Sequence, residues 1–188
     1  MKKIVLLACI IFLISGKVIA SEPDYRSIYM NLEMPKFSYV HGIDPKQFYD
    51  NQYATYSVYP LFRLCTPLYF KSVKIMPGYY DLTPREYKGE YYLLFKQNGM
   101  VRHIVPIYKR ELVPSGFYKS HLPKEKYTWT QKVGNAFYMF VGKHIKSAKR
   151  KPTAKTYLEV NDMNDNFVIM IIYYNNFRYY TIFRTVQI

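Results

Sequence analysis

The 188 residues include only two cysteines, so the chain is long enough to bury its own core and cannot rest on a disulfide framework. Its 27 lysines and arginines against 13 acids draw polyanions and charged surfaces through a salt-sensitive field. With 22 tyrosines and 12 phenylalanines against one tryptophan, the composition favours half-buried strands, where a tyrosine ring packs and its hydroxyl stays wet.

In chain order, the cationic start Met1-Lys2-Lys3 leads into an uninterrupted apolar run over residues 4–14 and then Val18-Ile19-Ala20. A positive start, a short apolar stretch and small residues before a cut form a secretory signal peptide, with cleavage expected after Ala20. Eleven apolar residues fall short of the roughly 20 a membrane span needs. Leu6-Leu7-Ala8-Cys9 has the look of a lipobox, but the apolar run continues past the cysteine instead of ending there. The expected product is therefore exported, periplasmic or extracellular, and carries 24 cations against 13 acids once Lys2, Lys3 and Lys17 are gone.

Residues 21–55 read as an N-terminal segment with a short helix. Asp44-Pro45 supplies an N-cap and a first-turn proline for residues 44–49, and a weaker helical turn is expected near residues 24–30. From residue 56 to 188 the pattern is β. A strand over 69–75 stops at Pro77-Gly78, and another over 78–82 stops at Thr83-Pro84. Residues 90–96 lead into Asn98-Gly99 and out through 100–105, a tight hairpin, because Asn-Gly tolerates positive φ at both turn positions. Further strands are expected over 135–141 and 156–160, and a last hairpin runs from 167–174 through Asn175-Asn176 into 177–186. The series Met76-Pro77-Gly78-Tyr79-Tyr80 through Phe95 resembles Val113-Pro114-Ser115-Gly116-Phe117-Tyr118 through Phe140, either by duplication or by shared turn chemistry. Together these elements predict a mainly β, single-domain fold: an antiparallel meander of hairpins forming a small barrel or sandwich, with a short N-terminal helical segment.

Chemistry is sparse. No nucleophile elbow, catalytic-cysteine context or cofactor fingerprint is present, and no cofactor is expected. His41, His103, His121 and His144 are too scattered for a metal site. The spacing of Asp162, Asn164 and Asn166 imitates a calcium loop, but Phe167 and Tyr173 stand where that loop needs Gly and Glu, so a turn is expected. Cys65, in an apolar setting, reads as a buried structural thiol. The strongest local feature is residues 143–155, where Lys143, Lys146, Lys149, Arg150, Lys151 and Lys155 gather with His144 and no acid. As a plain surface loop this is a solvated segment between strands. As a site it suits phosphate, sulfate or anionic lipid heads, and export makes nucleic acid the poorer fit.

The reading carried forward is a non-catalytic exported β-domain that binds an anionic polymer, a membrane surface or a protein through this segment. Two alternatives stand beside it: a cell-envelope hydrolase and a small outer-membrane β-barrel. Against the barrel, Arg178 and Arg184 share a strand face with Tyr180, Ile182 and Val186, where a lipid-facing surface should be apolar.

Overall fold

The computed structural model describes residues 23–47, 58–123, 127–145 and 154–187. The expected signal peptide and its expected cleavage site lie outside them. Helix α1 (Tyr25–Asn31) comes first, and Asp24 caps it by accepting a hydrogen bond from the Ser27 amide at 3.0 Å. Ten strands follow: β1 (Leu61–Leu64), β2 (Leu68–Phe70), β3 (Val73–Ile75), β4 (Gly78–Tyr87), β5 (Glu90–Gln97), β6 (Met100–Pro106), β7 (Lys109–Leu112), β8 (Thr156–Asp162), β9 (Phe167–Tyr174) and β10 (Phe177–Arg184). Helices α2 (Phe117–His121) and α3 (Trp129–His144) lie between β7 and β8.

Two antiparallel sheets form, one ordered β1-β4-β5-β6 and the other β3-β2-β10-β9-β8, with β7 pairing β10 on the side where β2 leaves off. They face each other as a sandwich and do not close into a barrel. The mainly β expectation holds. The shared core joins Tyr80, Leu82, Leu93 and Phe95 of the first sheet to Met170, Ile172, Tyr179 and Phe183 of the second. Phe95 meets Phe183 edge-on with ring centroids 5.8 Å apart.

The N-terminal segment straps the outer faces of both sheets. Tyr29 of α1 packs on Phe70 and Phe167 of the six-stranded sheet, and its hydroxyl accepts from the Lys71 amide at 2.7 Å. The chain then crosses to the four-stranded sheet, where Phe37 stacks on Tyr87 and Ile43 bridges Met100. With Tyr29 over Phe167 at one end of β9 and Phe117 of α2 stacked on Tyr173 at the other, β9 is buried along nearly its whole length, on both of its faces.

Several sequence expectations change here. The stretch 69–75 is not one strand but a hairpin, β2 and β3, turning at Lys71, whose φ is 50°. Thr83-Pro84 does not stop β4. The Leu82 amide bonds to the Pro60 carbonyl just beyond β1, so the nitrogen of Pro84, two residues on, points to a side with no strand to pair. The expected strand over 135–141 is helical, part of α3. Consequently the two similar series do not share a structure, the first forming the β4–β5 hairpin and the second α2 and α3. Cys65 is exposed, since Leu64 before it turns inward and Cys65 begins the connection to β2. The hairpins at Asn98-Gly99 and Asn175-Asn176 form as expected, and residues 164–166 are a short 3₁₀ turn. A turn begins at Asp44-Pro45, while the rest of that expected helix reaches beyond the described residues.

Candidate functional site

Among the described residues, helix α3 is left without cover along its whole length. Thr128 opens it with a capping box: its hydroxyl accepts from the Gln131 amide, and the Gln131 side chain accepts from the Thr128 amide at 2.9 Å. From there Trp129, Val133, Phe137, Phe140 and His144 recur every three or four residues, so they line one face of the helix. None of its 16 residues is buried: Trp129 is 77% exposed, and Phe137 and Phe140 are each 64% exposed. In an ordinary surface helix that stripe would lie against the core. Here it faces water. Gln131, Asn135 and Gly142 occupy the opposite side together with Tyr138 and the exposed Met139, and Lys132 and Lys143 fall at the margin between the two.

Lys143 sits in the last turn of α3, where its charge complements the negative end of the helix dipole. Lys155 lies just before β8, its backbone locked to Asn175 by hydrogen bonds in both directions and its ammonium 5.9 Å from the centre of the Tyr118 ring. These two residues mark the ends of the cationic segment. Lys146, Lys149, Arg150 and Lys151 fall outside the described residues. No acid occurs between Glu125 and Glu159, a span holding eight lysines and arginines together with Trp129, Phe137, Tyr138 and Phe140. Reading 135–141 as a strand hid this arrangement, although the capping pair and the helical spacing of the aromatics are both present in the sequence.

Two other places on the molecule hold concentrated polar chemistry. Asp44 is buried on the outer face of the four-stranded sheet, where Arg85 and Lys96 reach it at 2.7 and 2.6 Å and Arg85 also donates to the Tyr59 hydroxyl. Burial alone would push the Asp44 carboxyl up, but the hydrogen bonds and charges of Arg85 and Lys96 outweigh it and hold it below its ordinary value. This cluster ties the N-terminal strap to β4 and β5. An open cavity of about 720 Å³ lies between α1 and the outer face of β9 and β10, with Ile169, Ile171, Ile28 and Leu32 as apolar walls and Glu90 and Lys109 at the rim. The Tyr108 phenol in its wall is pushed up to about 12 by burial and then by the nearby charges of Tyr25 and Glu111. Among the described residues no group of three or more His, Cys, Asp or Glu side chains is placed to hold a metal ion. Among the same residues no helix is long and apolar enough to cross a membrane.

No protein-family model matches the chain, and neither a curated protein nor a solved structure matches it.

Proposed function

We propose that the protein is a non-catalytic, exported binding module that docks on an anionic partner through Lys143, Lys146, Lys149, Arg150, Lys151 and Lys155, with α3 beside them. The observation that carries this reading is the acid-free span between Glu125 and Glu159, which concentrates charge next to an uncovered aromatic helix. Cations spread evenly among acids cancel at a distance, whereas a span of one sign projects its field into solvent. The first 20 residues support export, and the partner then lies outside the cytoplasm.

The test is retention on an anionic matrix. The chain from Ser21 is expected to bind at low salt and to elute as salt rises, because each contact exchanges a bound counterion. The variant Lys149→Ala/Arg150→Ala/Lys151→Ala is expected to elute at distinctly lower salt. An unchanged elution position for that variant contradicts the assignment of the segment.

A further inference from the structure

The cationic segment explains attraction but not the aromatic stripe beside it. A polyanionic chain needs only charge, whereas Trp129, Val133, Phe137 and Phe140 present apolar area that no charged polymer covers. A lipid surface matches both halves at once, with acidic headgroups for the lysines and the acyl boundary for the rings. A 16-residue helix is about 24 Å long, shorter than the roughly 30 Å hydrocarbon core, so α3 is not built to span. Its far side carries Gln131, Asn135 and the amphipathic Tyr138, with Met139 beside Lys132, and Lys132 and Lys143 at the margin can reach headgroups while their stems lie along apolar surface. Such a helix lies in the interface plane with its apolar face among the headgroups and upper acyl chains.

We propose that the partner is an anionic lipid bilayer surface, on which Trp129–His144 lies flat with the stripe Trp129, Val133, Phe137 and Phe140 inserted and Lys143, where the cationic segment begins, on the headgroups. This rests on the reading of that segment as an anion-docking site and adds the identity of the surface. Trp129 is the chain's one tryptophan, so its fluorescence reports the stripe without a label.

The chain from Ser21 contains every described element and lacks the apolar run 4–14, which would hold vesicles by itself. Mixed with phosphatidylglycerol vesicles, it is expected to show a blue-shifted Trp129 emission and protection from acrylamide quenching, with neither change on phosphatidylcholine vesicles at the same salt. Phe137→Ser/Phe140→Ser keeps the probe and is expected to lose most of the shift. Removing Lys149, Arg150 and Lys151 is expected to weaken binding to the anionic vesicles by roughly a hundredfold, about fivefold for each cation. Vesicle binding with Trp129 emission unmoved and fully quenchable overturns the insertion and leaves the anion-docking reading standing. Emission already shifted without lipid, and rising with protein concentration, overturns it in favour of a second copy covering the stripe. Failure to bind either these vesicles or an anionic matrix sinks both readings together.

Discussion

Asp44 holds the N-terminal segment to β4 and β5 through Arg85 and Lys96. Its sequence context, Asp44-Pro45, marks a turn, and its carboxylate does accept from the Lys46 amide at 3.1 Å. The same carboxylate also takes Arg85 and Lys96, more than 40 residues away, and no local pattern announces a contact of that separation. Removing one partner of a buried ion cluster costs on the order of 3–5 kcal/mol, so Asp44→Asn is expected to lower unfolding stability by about that amount in urea titration. The pH dependence follows from the direction of its shift. The folded carboxyl is held below its unfolded value, so its contribution is fully present above about pH 4 and is lost as pH falls through the folded value. The urea midpoint is therefore expected to drop on acidification below about pH 4, and Asp44→Asn to flatten that drop. Thr181 predicts the opposite sign. Its hydroxyl is buried in β10 with no hydrogen-bond partner among the described residues, so Thr181→Val is expected to raise stability by about 1 kcal/mol. A lower midpoint for Thr181→Val would contradict this.

Elements with a local cause were legible, and those whose context is distant were not. Asn98-Gly99 needs no tertiary help, with φ of 52° and 74° that its residues readily adopt. Lys71 opens an equally tight hairpin at φ of 50° with no turn signal of its own, and that hairpin forms because the flanking strands pair around it, whereas Lys88 is followed by Gly89, which takes φ of 88° freely. Pro84 looked like a stop because a proline within a central strand loses a ladder bond; it is tolerated because β1 is too short to reach it. For α3 the error was one of period. Phe137-Tyr138-Met139-Phe140-Val141 has the composition of a strand, yet Thr128, Gln131 and the spacing back to Trp129 set a helix. A helix this short and uncovered depends on its ends and its surroundings more than on propensity. Thr128→Ala is expected to cost about 1 kcal/mol of helix stability and to reduce the helical signal in far-UV circular dichroism, and anionic vesicles to restore it. No change on either step would show that the cap does not govern α3.

At the scale of the molecule, short strands separated by turn signals were enough to give a mainly β fold with barrel and sandwich both open, and the two sheets share one core between their inner faces. Strapping by the N-terminal segment was not legible, since the residues that hold it, Tyr29 and Asp44, owe their burial to partners far along the chain. Of the proposed site, the charge was legible and the aromatic helix beside it was not. The remaining question for the whole chain is whether binding follows total charge or its location. Two variants of equal net charge separate these. One is Lys149→Gln/Arg150→Gln/Lys151→Gln; the other is Arg26→Gln/Lys74→Gln/Lys119→Gln, at exposed positions elsewhere on the fold. Dissociation constants for phosphatidylglycerol vesicles measured side by side are expected to rise steeply for the first variant and little for the second. Equal losses for the two would mean that the protein binds by overall charge, and that residues 143–155 are a solvated segment with no site in them.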